Sequence, residues 1–223
     1  MPTPSQNRLN FSHFPLQFIT NGHDGDECVE QVRRVLDGGC LWVQLRMKEA
    51  GEAEVEAVAA KVKALTDGAG ATLIIDDHVG VAQRVGASGV HLGKKDMKPQ
   101  DARQMLGDKF IIGGTCNTFD DILAVKDAVD YIGCGPFRFT TTKKNLAPTL
   151  GLDGYQQIVW QCRSEGINIP IVAIGGITTA DIPDILNAGP DGIALSGEIL
   201  RAESIEQKTY EIVNAINNAK AAE

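Results

Sequence analysis

Eight short apolar runs, each followed by a segment with helical spacing, limit most strongly how this chain can fold. The predicted strands cover residues 16–20, 41–45, 72–75, 89–92, 110–112, 131–134, 171–174 and 192–195. Strands that alternate with helices indicate parallel pairing through crossover connections. Eight such units in succession predict an α/β fold, a single-domain TIM (β/α)8 barrel, with an open doubly wound sheet as the alternative.

The domain organisation is predicted to be simple, because the 223 residues contain no internal repeat, low-complexity tract or linker. Residues 1–15 lack strand or helix patterning and are interpreted as an N-terminal arm, so that 16–223 form the catalytic barrel domain. The polar segment 137–152, between the sixth strand and the next helix, is long for a compact domain. Loops of this length often bind ligands or act as lids.

The composition argues against several classes of binding partner. A net charge of −8 argues against nucleic acid, because domains that bind it usually carry a basic face. No apolar run approaches the ~20 residues that a membrane-spanning helix needs. The five cysteines are scattered without a CxxC pair, which predicts free thiols in a reducing compartment rather than zinc ligands. We therefore expect a cytoplasmic protein that binds neither nucleic acid nor membrane and acts on small molecules; a homo-oligomer is compatible with these features.

Polar clusters follow the predicted strands, where TIM barrels carry their active sites. At the end of the second strand, Gln44, Arg46 and Lys48 alternate with the same parity as Trp42, which predicts that they face the barrel interior and its mouth. Cationic side chains are costly to bury there without anionic partners, and arginine can hold a phosphate through two hydrogen bonds. The alternative is a solvated strand end paired with nearby glutamates.

Three carboxylates follow the next two strands. Asp76 and Asp77 come after the third strand and Asp96 after the fourth, so they are expected to converge at the barrel mouth. Converging carboxylates repel one another unless a cation lies between them, and oxygen ligands suit Mg²⁺. The alternative makes Asp77 the N-cap of the following helix and Asp96 part of a surface turn.

The last two strands end in sequences typical of phosphate binding. Gly175 and Gly176 follow the seventh strand, and Ser196 and Gly197 follow the eighth, where barrels of this class recurrently bind phosphate. The run of threonines and lysines at 140–144 suits a clamp that closes over a phosphate, with an ordinary polar loop as the alternative. No Ser–His–Asp arrangement is visible, which favours chemistry driven by leaving-group activation. His91 is interpreted as a hydrogen-bonded core residue.

Five motifs occur in the order and with the spacing of a known family. They are Gln44-Leu45-Arg46-Met47-Lys48, Ile75-Asp76-Asp77, Gly89-Val90-His91-Leu92-Gly93 followed by Asp96, Gly135-Pro136 followed by 140–144, and Ala173-Ile174-Gly175-Gly176-Ile177. In these motifs the chain resembles thiamine phosphate synthases over residues 16–200. The resemblance implies a transferase that joins hydroxymethylpyrimidine diphosphate to a thiazole phosphate and releases pyrophosphate, assisted by Mg²⁺.

The resemblance also implies roles for individual residues. The residues implied to contact the pyrimidine diphosphate are Gln44, Arg46, Lys48, Asp76, Thr115 and Lys143, of which Arg46, Lys48 and Lys143 are implied to be catalytic. Asp77 and Asp96 are implied to bind Mg²⁺. The residues implied to hold the thiazole phosphate are Thr140, Thr142, Gly176, Ser196 and Gly197. The implied mechanism is dissociative, with the pyrophosphate leaving before the thiazole nitrogen attacks.

The chain departs from the family pattern at a few of these positions. Met47 replaces the usual glutamate, but it points away from the predicted binding face. Asp76 replaces the usual asparagine and cannot donate an amide hydrogen to a pyrimidine nitrogen. Thr115 retains the hydroxyl of the usual serine, whereas Gly197 stands where the family has a side chain and can offer only its backbone.

Two other functions compete with this interpretation. A thiazole tautomerase of the same superfamily resembles this chain but carries a histidine at the position of Asn117, where it could transfer a proton. A non-catalytic sensor of phosphorylated ligands would not need Asp77 and Asp96 together. The metal pair and Asn117 favour the synthase.

Overall fold

The computed structural model describes residues 15–139 and 148–221, and these form a closed barrel of eight parallel strands. The strands are β1 (Leu16–Ile19), β2 (Trp42–Leu45), β3 (Thr72–Asp76), β4 (Gly89–Leu92), β5 (Ile111–Cys116), β6 (Tyr131–Cys134), β7 (Ile171–Ile174) and β8 (Gly192–Leu195). Each strand pairs with its neighbour in sequence, and β1 pairs with β8, with Phe18 opposite Leu195. The predicted TIM barrel is confirmed, and the open sheet is wrong because the described strands leave no free edge.

Helices cover the outside of the barrel. They are α1 (Gly25–Asp37), α2 (Glu52–Ala69), α3 (Val79–Val85), α4 (Pro99–Leu106), α5 (Phe119–Val125), α6 (Gly151–Ser164), α7 (Ile182–Asn187), α8 (Gly197–Leu200) and α9 (Ile205–Ala221). Local signals set their ends. Asp24 caps α1 by accepting a hydrogen bond from the Glu27 N–H at 2.8 Å, and left-handed Gly70 and Gly86 end α2 and α3.

Two hydrophobic cores result from the alternation of side chains along the strands. The larger lies between the strands and the helices and includes Val43, Leu73 and Val90. The smaller fills the barrel interior and consists of Trp42, Ile74, Ile111, Tyr131, Val172 and Ala194. Trp42 therefore has the inward parity that the sequence predicted, and the residues two positions further along each strand reach the mouth above this inner core.

The fifth strand differs most from its predicted bounds. The sequence places its end at residue 112, whereas β5 continues to Cys116 and contains Thr115, which was expected in the following loop. Gly113 lies in the strand beside Tyr131 and His91. A Cβ at Gly113 would overlap the Tyr131 ring and approach His91 Nδ1 to 2.5 Å. The glycine thus accommodates side chains from neighbouring strands.

Smaller differences occur elsewhere. The predicted helix at 179–188 is divided into a 3-10 turn (Thr179–Asp181) and α7, and the sequence did not predict the short helix α8. The predicted arm up to residue 14 and the loop residues 140–147 lie outside the described residues. Within the described ranges, no helix is both long and apolar enough to cross a membrane. All five cysteines are buried free thiols, as predicted.

Candidate active site

The carboxyl ends of the strands surround a cavity of about 600 Å³. Its walls contain every predicted site residue that the structure describes, namely Gln44, Arg46, Lys48, Asp76, Asp77, Asp96, Thr115, Gly176, Ser196 and Gly197. The remaining predicted residues, Thr140, Thr142 and Lys143, lie outside the described residues. Residues that are up to 153 positions apart are brought together because parallel strands present all their carboxyl ends at one face of the barrel.

Asp76 is held by two side chains from the neighbouring strand end. Gln44 donates a hydrogen bond from Nε2 to Asp76 Oδ1 at 2.5 Å, and Arg46 Nε lies 3.2 Å from Asp76 Oδ2. The Arg46 and Asp76 side chains are only 13% and 12% exposed, so their charges are weakly screened. The partner of Arg46 is therefore an internal carboxylate, whereas the sequence analysis expected a ligand anion or a helix glutamate there.

Gln44 also presents an unused acceptor. Its Oε1 is buried and has no hydrogen-bond partner among residues 15–139 and 148–221. Buried polar atoms in folded proteins are nearly always satisfied by protein, water or ligand, so this acceptor at the cavity wall is available to a bound molecule. A donor N–H on a bound molecule would satisfy this oxygen.

Asp77 is strained and crowded by negative charge. Its φ of 62° lies in the left-handed region, which non-glycine residues adopt rarely and mostly at functional sites. Partial burial, with the negative charges of Asp76 and Asp96, raises the Asp77 pKa to about 8, although the residue keeps contact with solvent at the mouth. A protonated Asp77 lies close enough to Asp96 to donate a hydrogen bond to it.

The structure also tests the structural alternatives for these carboxylates. The N-cap of α3 is His78 without a side-chain hydrogen bond, so the expectation that Asp77 caps this helix is wrong. Asp96 does stabilise a turn, because its Oδ2 accepts a hydrogen bond from the Gly93 N–H at 2.7 Å. That bond holds the carboxylate at the cavity wall, close to Asp77.

The carboxylate pair suits a hard cation with few protein ligands. Within the described part of the chain, no group of three or more His, Cys, Asp or Glu side chains could hold a metal. Mg²⁺ commonly uses one or two carboxylates and completes its shell with water and substrate phosphates. Asp77 and Asp96 fit this donor set, since a cation between them would offset the repulsion of their two negative charges.

The far side of the cavity contains tight glycine turns. Gly175 and Gly176 have φ of 100° and 69°. A Cβ at Gly176 would lie 2.5 Å from Arg138 Cγ and 3.0 Å from the Phe139 oxygen. The absence of a side chain is thus explained first by the close approach of the segment after β6. This close packing is a further requirement for glycine at position 176, beside the predicted approach of its backbone N–H to an anion.

Arg138 anchors that segment. It forms two hydrogen bonds to Asp181, at 2.7 and 2.6 Å, and its backbone N–H donates to the Gly175 oxygen at 3.0 Å. Its charge is therefore used to hold the start of the long loop against the turn after β7.

The turn after β8 contains a buried hydroxyl with no partner. Ser196 lines the cavity, and no described residue forms a hydrogen bond with its buried Oγ. Gly197 lies under the Arg201 guanidinium, which a Cβ at that position would overlap. Glu198 accepts hydrogen bonds from the Thr179 N–H at 3.2 Å and its hydroxyl at 3.0 Å, so its carboxylate is directed toward the preceding turn.

Several cavity residues escaped the sequence analysis. Lys94, Lys95 and Arg201 line the walls, and Lys94 forms an ion pair with Asp121 at 2.6 Å. His91 also lines the cavity, and it is the buried, hydrogen-bonded residue that the sequence predicted. The two lysines were detectable as neighbours of Asp96 in the loop after the fourth strand. Arg201 gave no such signal, because it reaches the cavity through a helix that was not predicted.

The fold and cavity together define a class: a TIM barrel with cationic and acidic groups at one side of its mouth and glycine turns at the other. A family model described as thiamine monophosphate synthase matches residues 16–199, and the chain belongs to this family. The resemblance found in the sequence motifs is thereby confirmed.

Individual relatives support the same assignment. The chain is 56% identical to the thiamine-phosphate synthase of Bacteroides fragilis over 200 residues, which cover 89% of this chain and 98% of the relative. The corresponding protein of Phocaeicola vulgatus is 54% identical, with 89% and 96% covered. The structure of a thiamine phosphate pyrophosphorylase from Pyrococcus furiosus superposes with a TM-score of 0.81 at 30% identity, covering 94% and 98% of the two chains.

Proposed function

We propose that this chain is a transferase that joins hydroxymethylpyrimidine diphosphate to a thiazole phosphate, giving thiamine phosphate and pyrophosphate. The observation that carries the proposal is the division of one cavity into two unlike halves. The half at β2 to β4 contains Arg46 and the Asp77–Asp96 pair, and the half at β7 and β8 contains Gly176 and Ser196. Because β3 and β7 are four strands apart in the closed order, the halves face each other.

The β2 to β4 half has the groups to bind the pyrimidine diphosphate. The unused Gln44 Oε1 could accept a hydrogen bond from the amino group of the pyrimidine. Arg46 and Lys48 supply positive charge for the diphosphate, and Thr115 supplies a hydroxyl. Lys143, which lies outside the described residues, remains the proposed cation of the loop. When Mg²⁺ is bound by Asp77 and Asp96, it neutralises charge on the diphosphate.

The opposite half would bind the thiazole phosphate through Ser196 Oγ and the backbone of Gly176 and Gly197, with Thr140 and Thr142 contributing from the loop. In the reaction, the bond between the methylene carbon and the diphosphate oxygen breaks, and the oxygen keeps the electron pair. The aminopyrimidine ring stabilises the methylene cation, and the thiazole nitrogen donates its lone pair to form the new carbon–nitrogen bond. No step needs a protein base. Arg46 stabilises the charge that develops on pyrophosphate.

A pyrophosphate-release assay tests the proposed function. We expect release that depends on both substrates and on Mg²⁺, with stoichiometric formation of thiamine phosphate. Isomerisation of a thiazole without pyrophosphate release would indicate the tautomerase instead. Asn117 argues against that alternative, because its amide donates a hydrogen bond to the Gly135 oxygen and is not an acid or base. Binding of both ligands without turnover would indicate a sensor.

Ser196→Ala tests the thiazole-phosphate half. Removing a buried hydroxyl without a partner should leave the free energy of unfolding unchanged or slightly raised. If the hydroxyl donates to the phosphate, its loss should raise the KM for thiazole phosphate by about tenfold, since hydrogen bonds to charged groups contribute about 1.5 kcal/mol or more. The KM for the pyrimidine diphosphate should not change. Equal effects on both KM values would contradict the assignment. Gly176→Val is a poorer test, because it would strain the backbone and displace Arg138.

Asp76→Asn tests whether the internal carboxylate competes with substrate for Arg46. The variant keeps an oxygen for Gln44 but removes the charge that pairs with the guanidinium. We expect the KM for the pyrimidine diphosphate to fall roughly fivefold, corresponding to about 1 kcal/mol for a modest ion pair. Asp101→Asn removes the same charge from an exposed helix position and serves as the control. A higher KM for Asp76→Asn would show that Asp76 assists binding.

The compartment and partners remain part of the proposal. Five buried free thiols support a reducing compartment, and we place the protein in the cytoplasm with its two phosphorylated substrates as partners. We propose no nucleic-acid or membrane partner, and we leave a homo-oligomer open to measurement in solution.

A further inference from the structure

A chain of hydrogen bonds crosses the barrel interior just below the cavity. Gln17 Nε2 on β1 donates to the Tyr131 hydroxyl oxygen on β6 at 3.0 Å. The Tyr131 oxygen lies 3.0 Å from Nδ1 of His91 on β4, and His91 Nε2 lies 3.0 Å from Thr115 Oγ1 on β5. Thr115 lines the cavity at the end of this chain. The series connects a buried phenol on one side of the inner core to a hydroxyl at the mouth.

The donors and acceptors define the direction of this chain. Tyr131 is fully buried, and among the described residues its oxygen contacts the Gln17 amide and His91 Nδ1. The amide is a donor at this contact, so the phenol proton is donated to His91 Nδ1. A neutral imidazole that accepts at Nδ1 carries its proton at Nε2. His91 therefore donates to Thr115 Oγ1, and the Thr115 proton is free to point into the cavity.

The residues around this series of hydrogen bonds leave its side chains little room to change conformation. Gly133 faces the imidazole, and a Cβ there would lie 3.0 Å from His91 Cε1. Gly113 makes the corresponding space between the imidazole and the phenol. The Tyr131 ring packs edge-on against Trp42, with 5.0 Å between ring centroids. Rings packed in this way keep their rotamers, so the direction of the hydrogen bonds is held by packing.

We infer that His91 is a positioning residue that, with Tyr131, fixes the Thr115 hydroxyl as a hydrogen-bond donor toward the pyrimidine diphosphate. The inference rests on the proposed function, since it assigns a ligand to Thr115. A hydrogen-bond donor is needed at this position, because the diphosphate oxygens can only accept hydrogen bonds. With the opposite polarity, Thr115 would donate to His91 and present lone pairs to the anion.

The tautomer of His91 can be measured without turnover. We expect the ¹⁵N chemical shifts of the ligand-free protein near pH 8 to show an unprotonated Nδ1 and a protonated Nε2, with the resonance assigned by its loss in His91→Gln. Tyr131→Phe should shift His91 toward a mixture of tautomers. Tyr155→Phe is the matched control, because it removes another buried phenol that donates to the Cys134 oxygen at 2.9 Å. It should leave the His91 shifts unchanged.

Two replacements of His91 test its effect on substrate. A glutamine amide can reach the place of Nε2 and donate to Thr115, whereas an asparagine amide reaches only the place of Nδ1. We expect kcat/KM for the pyrimidine diphosphate to be about tenfold lower in His91→Asn than in His91→Gln, the size of one hydrogen bond to a charged group. The KM for thiazole phosphate should be the same in both. In a Thr115→Ala background, His91→Asn should cause no further loss of kcat/KM, because His91 acts by orienting the Thr115 hydroxyl.

The outcomes separate this inference from the proposed function. A protonated Nδ1 in the native protein would overturn it, as would equal kcat/KM values for the two His91 variants of equal thermal stability. Additive losses in the double variant with Thr115→Ala would show a role independent of Thr115. If the protein has no synthase activity, the ¹⁵N shifts still test the hydrogen-bond direction, and the proposed function alone fails.

Discussion

Replacing Asp77 by alanine should lower turnover by orders of magnitude, and added Mg²⁺ should not restore it. Asp77 and Asp96 are the carboxylates that fit the proposed cation, and burial together with the neighbouring negative charges of Asp76 and Asp96 raises the Asp77 pKa. Without the cation, the departing pyrophosphate carries its charge unneutralised. A loss of several kcal/mol of stabilisation corresponds to a rate on the order of a thousandfold lower.

The measurement is single-turnover pyrophosphate release with Mg²⁺ and in excess chelator. Asp101→Ala, which removes an exposed carboxylate from the first turn of α4, is the control and should resemble the native protein. Full activity of Asp77→Ala in excess chelator would contradict the metal assignment. A binding readout independent of activity is the melting temperature, which Mg²⁺ should raise in the native protein but not in the variant.

Asp77→Asn should also change stability in metal-free buffer. The folded-state pKa of Asp77 is raised above its unfolded value, so the folded state loses stability as the pH rises from about 4 toward 8. The variant has no such charge, and it should be more stable than the native protein near pH 8 but not near pH 4. Denaturant titrations at the two pH values measure this difference. A gain in the free energy of unfolding of Asp77→Asn that is larger at pH 4 than at pH 8 would contradict the expected direction of this pH dependence.

Arg46→Ala should lower kcat on the order of a hundredfold while changing the KM for the pyrimidine diphosphate less. Interactions that strengthen in the transition state raise kcat, and the charge on the leaving pyrophosphate develops as its bond to carbon breaks. Arg46→Lys should recover only part of the rate, because lysine keeps the charge but not the paired donors of the guanidinium. Single-turnover kinetics with both variants provide the test.

A complication is that removing Arg46 leaves Asp76 unpaired in the cavity wall. An unpaired carboxylate there would repel the diphosphate and raise its KM for a reason unrelated to the leaving group. The Arg46→Ala/Asp76→Asn double variant removes this effect. If kcat returns to the level of Asp76→Asn in the double variant, Arg46 acts only by neutralising Asp76, and its catalytic role is wrong.

Much of the fold could be predicted because its signals are local. The alternation of apolar runs and helical segments requires only neighbours in sequence, and so does the period-two pattern that predicts Gln44 and Arg46 on the inward face. The bounds of β4, β6, β7 and β8 agree with the prediction. The fifth strand was predicted too short, because the sequence does not show that Gly113 makes room for the Tyr131 ring within the sheet.

The site was predicted less completely than the fold. The family motifs identified residues that line the cavity, but they did not show that Arg46 is already paired with Asp76. Arg201 was missed because it directly follows α8, a helix of four residues with no detectable periodicity. The sequence predicts a role of the Gly176 backbone in anion binding, but it did not show that Arg138 and Phe139 pack against this position.

The sequence by itself determined the barrel, the inward parity of its strands and the family, since these follow from periodicity and from motifs in chain order. Only the tertiary structure decided which inward side chains meet. The ion pair of Arg46 with Asp76 and the hydrogen-bonded series from Tyr131 through His91 to Thr115 join residues from different strands. Such contacts depend on the relative shift of neighbouring strands and on rotamers set by packing. Neither the strand shift nor the rotamers can be predicted from the sequence of a single strand.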